Sequence, residues 1–345
     1  MGEARRGAAV IEVEGLCVDY GVGARALRVV DDVSFSLGEG EIVGLVGESG
    51  CGKSTLGAAL LSLVAAPGRI ANGRIRFEGH DLVGMPEVDI RRLRGQRISM
   101  IAQDAQAVLN PVVRVGPQVG DVVSDHVEVD AAEVRTLVLD TLRRVRLPRP
   151  ELTMRNYPHE LSGGMQQRVV IGEGLMLGPR VLIADEPTTA LDVTVQSQIL
   201  DLLLGIRDES GATILLITHD LAAVADVCDR VMVMYGGRIV ETGGVEEIFG
   251  AAGHPYTRAL LAGLLPLRGD PPEQLAALAG QPPQPGELPG GCRFHPRCPL
   301  WSELARPEVC ATQDPTLAVD SDGRGAACHF AHLRGREVAR ISDCV

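Results

Sequence analysis

Lysine is almost missing from this 345-residue chain. Of its 33 basic residues one, Lys53, is a lysine and the rest are arginines. A compact ammonium and a planar guanidinium are not interchangeable, so the lone lysine marks a position where only the ammonium fits. Basic charge as a whole is also in deficit: 45 acidic residues leave a formal net charge of −12 and a pI near 5.2. That balance argues against a polyanion as the main partner, because phosphate-backbone binding runs on clustered Lys and Arg. Long apolar runs are missing too. The mean hydropathy is +0.12, yet no uninterrupted stretch approaches the roughly 18–20 apolar residues that cross a bilayer. Residues 1–6 lead into no apolar signal segment, so a cytosolic protein is expected, one still able to dock onto something in a membrane. What the chain does have is 45% hydrophobic residues, far too many for a disordered segment. Its length suits one large α/β domain with a smaller appendage, or two modest domains.

The lone lysine sits in a recognisable setting. Glu41–Val46 is a short apolar run between turn signals and reads as a buried strand. It enters Gly47-Glu48-Ser49-Gly50-Cys51-Gly52-Lys53-Ser54-Thr55, and a helix-like Leu56–Leu61 follows. Strand, glycine loop and helix with G-x-x-x-x-G-K-S spacing form the phosphate-binding pattern known as Walker A. Gly47, Gly50 and Gly52 let successive N–H groups turn inward, and the helix adds the positive end of its dipole. Lys53 is expected to reach the β- and γ-phosphates, and Ser54 to give its hydroxyl to Mg²⁺. Cys51 inside the loop is either a small filler or a thiol of lowered pKa, sensitive to oxidation.

Far downstream Val181–Ala184 reads as a second buried strand, ending in Asp185-Glu186-Pro187. An Asp at that strand end is placed to hold Mg²⁺, and the adjacent Glu186 to polarise an attacking water. Pro187, lacking an N–H, ends the strand.

Between these halves stands Leu161-Ser162-Gly163-Gly164-Met165-Gln166-Gln167-Arg168. With the motifs around it, this octet closely resembles the ATP-binding cassette of ABC transporters. The resemblance implies a fold: an α/β P-loop NTPase cassette with a mostly parallel core sheet, an antiparallel β flap and a helical subdomain. It implies ATP and Mg²⁺ as cofactors, and a site shared between two subunits, the Ser162–Gly164 helix start facing the γ-phosphate held by the other. By position in the family's order, Tyr20 would stack on adenine, ahead of the first cassette strands. Gln103 would be the glutamine that senses Mg²⁺ and links core to helical subdomain. Asp192 would lie in the loop that touches the partner's cradle, and His219, at the end of the apolar Ile214–Thr218 strand, would contact the γ-phosphate and order the water at Glu186. One departure is notable: Gly172 and Gly174 lie in the helix after the signature. Interior glycines cost about 1 kcal/mol each against Ala, so this helix is either locally loose or closely packed by a neighbour.

Residues 10–45 and 70–80 are β-rich and fit the flap; the acidic, helix-leaning stretch from Asn110 to about Pro158 fits the helical subdomain. Val231–Val240 reads as a hairpin pair joined by Gly236-Gly237. The expected organisation is an ATP-binding domain over 8–262 (helical subdomain about 104–178), a Pro- and Gly-rich linker over 263–291, and a loop-rich extension over 292–345 carrying Cys292, Cys298, Cys310 and Cys328. Their C-x5-C-x11-C-x17-C spacing lacks the C-x2-C pairs of common zinc sites. Four thiolates around such a segment suit an iron–sulfur cluster of the [4Fe–4S] type, against free cysteines or a loosely held metal.

The His254-Pro255-Tyr256-Thr257-Arg258 segment and the cysteine-bearing tail together resemble the C-terminal extension of oligopeptide/dipeptide importer ATPases. That implies a subunit at the cytoplasmic face of the membrane. Its partners would be a second, related ATPase (a heterodimer, with a homodimer as the alternative), two membrane permeases and, indirectly, an extracytoplasmic solute-binding protein. The implied activity is ATP hydrolysis driving uptake of di- or oligopeptides, with nickel or another small solute as the alternative cargo. A nucleic-acid-handling ABC ATPase is disfavoured by the −12 charge and by the lack of a coiled-coil or zinc insertion or a second cassette.

Overall fold

The computed structural model describes residues 9–23, 26–263, 278 and 280–333. Most of the 263–291 stretch, the extreme termini and Cys344 lie outside the described residues. The strands are β1 (Ala9–Tyr20), β2 (Leu27–Gly38), β3 (Ile42–Val46), β4 (Gly68–Phe77), β5 (His80–Asp81) and β6 (Ile98–Ile101). They continue with β7 (Val181–Asp185), β8 (Thr213–Thr218), β9 (Arg230–Tyr235), β10 (Arg238–Gly244) and β11 (Gly325–Ala326). Contacts divide the chain into two compact units. The first holds residues 9–11, Leu37–Ile42 and Phe77–Ile217; the second holds the described residues of Glu12–Ser36, of Val43–Arg76 and from Thr218 to 333.

In the first unit β6, β7 and β8 are parallel, Ile98 opposite Val181 and Val181 opposite Thr213. Every residue of β7 and β8 is buried, which is why both read as continuous apolar runs rather than alternating ones. The 110–158 stretch supplies helices Val115–Ser124 and Ala131–Arg144, the latter capped by Asp130, whose carboxylate accepts from the N–H groups of Ala132 and Glu133. The helix Gly163–Leu175 is buried along most of its length. Its interior glycines mark close packing rather than looseness: a Cβ at Gly172 would lie 3.2 Å from Thr141 Cγ2, and one at Gly174 3.3 Å from Ile101 Cγ1.

In the second unit β2, β1 and β4 are neighbours in that order. β3 and β9 are parallel, β9 and β10 antiparallel, and β10 carries the short antiparallel β11 from the cysteine-bearing tail, Glu241 opposite Ala326. Gly236 and Gly237 join β9 to β10 at φ of +52° and +85°, the left-handed conformations that a two-residue hairpin turn demands. The scarce aromatics gather here. Tyr235 packs 4.6 Å from Tyr256 and 5.2 Å from Phe294 between ring centres, all three fully buried. The tail therefore contributes both a strand and a core aromatic to this unit.

Candidate functional site

The glycine loop of the second unit is fixed by sterics at two points. A Cβ at Gly47 would stand 2.2 Å from Met234 O, and one at Gly52 2.8 Å from Val29 O, where φ is already +108°. Gly50 has open space around it and needs glycine only for its φ of +80°. The helix Lys53–Leu60 opens directly behind Gly52. Lys53 is buried, and its Nζ donates to Gly47 O at 2.7 Å and Glu48 O at 3.1 Å. The ammonium thus arches back over the loop, a short-radius path suited to a point charge and not to a planar fork. Cys51 is buried beside it, and burial pushes its thiol up against the partial opposition of the Lys53 charge. The filler reading of Cys51 stands, and the lowered-pKa alternative is overturned.

Tyr20 does not precede the first strand, as the sequence order suggested; it ends β1, half-buried beside Gly68 at the start of β4. His219 follows β8 directly, ahead of the helix Leu221–Val227, whose first N–H groups are capped by Asp220.

In the first unit Asp185 is buried at the end of β7. Glu186 comes next with φ of +47°, unusual for a residue with a side chain. Its N–H donates to Ile217 O at 2.7 Å, which holds the kink against β8. Its carboxylate Oε2 accepts from Gln103 Nε2 at 3.0 Å and from Thr189 Oγ1 at 2.9 Å. Gln103 and Glu186 are therefore brought together. Thr189 opens the Thr189–Asp192 segment that the resemblance assigns to the partner-facing loop, but its bond to Glu186 was not foreseen. Ser162 caps the helix Gly163–Leu175, accepting from Met165 N at 3.4 Å. Of its two glycines, Gly164 is the constrained one: a Cβ there would meet Val195 Cγ1 at 2.7 Å, whereas Gly163 has its nearest neighbour at 3.8 Å. Asp192 caps the helix Val193–Ser210 by accepting from Val195 N at 3.0 Å.

Comparison with known proteins bears on the whole chain. Residues 30–189 match the ABC transporter family and residues 240–303 the oligopeptide/dipeptide transporter C-terminal region. The dipeptide transport ATP-binding protein DppD of Escherichia coli K12 is 42% identical over 322 residues, covering 93% of this chain and 97% of that protein. The oligopeptide transport ATP-binding protein AppD of Bacillus subtilis 168 is 40% identical over 329 residues, covering 95% and 98%. The chain belongs to the ABC transporter ATP-binding family. Solved ABC cassettes share its fold. The dimeric cassette MJ0796 matches with a TM-score of 0.60 at 26% identity, over 68% of this chain and 98% of its own. CbiO1 of Clostridium perfringens, part of the complex cbiONQ, matches with 0.61 at 29%, over 70% and 91%. The chain is an ABC-type ATPase, and no helix among its described residues is long and apolar enough to cross a membrane.

Two features of this ABC ATPase lie beyond the cassette motifs. Glu48, the second residue of the glycine loop, is held by residues from far downstream. Tyr256 Oη accepts from its N–H at 2.8 Å, and Arg297 Nη1 and Nη2 donate to its two carboxylate oxygens at 2.7 and 3.0 Å. Nothing in the sequence ties position 48 to position 297. The second feature is the tail. Cys292, Cys298, Cys310 and Cys328 line one small cavity together with Phe294 and Trp301, and the seven described cysteines are all free. Burial, followed by the neighbouring thiols, pushes Cys292 up to about 12. Among the described residues no group of three or more His, Cys, Asp or Glu is assembled to hold a metal ion, so the expectation of an iron–sulfur centre meets no preformed metal site.

Proposed function

We propose that this chain is the ATP-hydrolysing subunit of a peptide importer, working at the cytoplasmic face of a membrane through separate permease subunits. The observation that carries the ATPase chemistry is the glycine loop, closed to any Cβ at Gly47 and Gly52 and spanned by the Lys53 ammonium. The peptide cargo is supported by the relatives named for dipeptide and oligopeptide transport and by the matching C-terminal region.

Roles follow residue by residue. The N–H groups of the Gly47–Thr55 loop, that of Glu48 excepted because it is bonded to Tyr256 Oη, and Lys53 hold the phosphates of ATP, by partial and full positive charge respectively. Ser54, Asp185 and Gln103 serve Mg²⁺, which neutralises phosphate charge when bound. Glu186 orients and deprotonates the attacking water, with His219 contacting the γ-phosphate. Tyr20 stacks on the adenine. Ser162, Gly163 and Gly164, at the start of a buried helix, receive the γ-phosphate carried by a second ATPase subunit, and Asp192 lies at that same interface. The partner is a related ATPase chain, and the assembly takes solute from a binding protein outside the membrane.

Reconstitution with a second ATPase subunit, two permease subunits and a solute-binding protein tests this. Di- and oligopeptides should stimulate ATP hydrolysis; stimulation by Ni²⁺ alone would replace the peptide reading, and no hydrolysis in any mixture would refute the assignment.

The shared cavity supports a second, separate reading of the tail, in which Cys292, Cys298, Cys310 and Cys328 hold a [4Fe–4S] cluster. In such a cluster each thiolate binds a different iron, so its ligands stand wider apart than those of one ion. The cluster would tie four points of a loop-rich segment together. Anaerobic purification followed by iron and sulfide assay should give a brown chromophore that is lost in Cys298→Ser. A colourless, iron-free protein excludes it.

A further inference from the structure

The Glu48 contacts extend the nucleotide site into a part of the chain that the cassette motifs do not reach. A phosphate loop works by pointing its N–H groups at an anion. At Glu48 that N–H is already committed to Tyr256 Oη, and the side chain is held in a two-pronged bond by Arg297. Glu48 is therefore the loop's anchor and not part of its cradle. Its third polar group, the carbonyl oxygen, accepts from Lys53 Nζ, so whatever fixes Glu48 fixes the ammonium as well.

Arg297 is built to stay in place. Its side chain is 7% exposed, its guanidinium lies 5.8 Å from the centre of the Tyr235 ring, and further donations go to Tyr235 Oη and Gly280 O at 3.3 Å each. Planar bidentate pairing with a carboxylate is the strongest side-chain ion-pair geometry available. Charge supplies the rest of the argument. A carboxylate inside a loop that receives a triphosphate is electrostatically wrong unless it is neutralised, and Arg297 neutralises it.

We infer that Arg297, assisted by Tyr256, is a positioning residue for nucleotide binding, and that the cysteine-bearing tail thereby completes the ATP site of its own chain. This rests on the glycine loop being the nucleotide site. The loop is set by a segment about 250 positions away, so the tail's folding state controls the affinity for ATP.

The test is calorimetric titration of Mg·ATP into the full chain. Arg297→Ala leaves Glu48 unpaired beside the phosphates and should weaken binding roughly tenfold or more. Arg297→Lys keeps the charge but loses the fork and should fall in between. Adding Glu48→Gln to Arg297→Ala removes the unpaired charge and should recover most of the lost affinity. A bridge that merely supports the fold predicts the opposite, because the double variant would then be no better than the single one. Parental affinity in Arg297→Ala, or no recovery in the double variant, overturns the inference. If Arg297→Ala does not fold, the comparison of Arg297→Lys with Arg297→Lys/Glu48→Gln decides it by the same criterion. Lys53→Ala separates the two levels: retained ATP binding there would refute the loop as the nucleotide site, whereas lost binding together with an indifferent Arg297 refutes only the role of the tail.

Discussion

Gln103 Nε2 donates to Glu186 Oε2 at 3.0 Å, so a residue just beyond β6 holds the carboxylate just beyond β7. Thr189 Oγ1 reaches the same oxygen at 2.9 Å. Two donors on one carboxylate oxygen fix where the group points. A carboxylate held in one orientation suits a group that must aim at a water. The left-handed backbone of Glu186, at φ of +47°, is tolerated because the N–H bond to Ile217 O and these two donors define its position.

Replacing Glu186 by Gln keeps the size of the side chain and removes the base. Hydrolysis should fall by roughly 10²-fold or more while Mg·ATP binding persists, trapping subunits in the ATP-bound, paired state. Phosphate release and nucleotide binding measured on the same preparation check it; a normal rate of release contradicts the assignment.

Thr189→Val removes one of the two donors without changing shape. The expected result is a lower kcat, by about tenfold or less for a single neutral hydrogen bond, with KM for ATP nearly unchanged. Gln103→Ala should cost more, because Gln103 also serves Mg²⁺ in the proposed site. Its loss should therefore raise the Mg²⁺ concentration needed for half-maximal activity, whereas that of Thr189→Val stays put.

Lys53→Arg tests why one lysine stands among so many arginines. The buried Nζ bonds two carbonyls of its own loop, an enclosure that a wider planar group does not enter without displacing Gly47 or Glu48. ATP affinity should drop on the order of tenfold or more despite the conserved charge; unchanged affinity would show that the lone lysine is accidental.

Local chemistry made much of this legible beforehand. The buried strands β7 and β8, the loop at Gly47–Thr55 and the hairpin glycines at 236 and 237 each announce themselves through short-range pattern, because burial on both sheet faces and left-handed turns constrain composition residue by residue. Cys51 was ambiguous because its pKa depends on how deeply the folded chain buries it. The fate of Gly172 and Gly174 was equally hidden, since only the neighbours Thr141 and Ile101, supplied by other elements, reveal that close packing rather than looseness explains them. Arg297 lies further still beyond sequence reasoning. It is one arginine among many, and its bond to Glu48 spans 249 positions.

Glu173, near the C-terminal end of the buried helix Gly163–Leu175, gives the first unit a pH dependence. Burial, with the charge of Asp121 adding to it, raises its carboxyl from 4.5 to about 7. The folded state therefore holds this proton more tightly than the unfolded chain does. The sign follows from linkage: below pH 4.5 both states are protonated and burial costs nothing, and as pH rises through 7 the unfolded chain ionises first and gains free energy relative to the fold. The penalty grows across pH 4.5–7 and levels off above it, at no more than about 3 kcal/mol. Glu173→Gln, which cannot ionise, should match the parent in stability near pH 4.5 and exceed it near pH 8. Urea unfolding at both pH values measures the difference, and an advantage for the variant that is the same at both would mean that Glu173 titrates as an ordinary carboxyl.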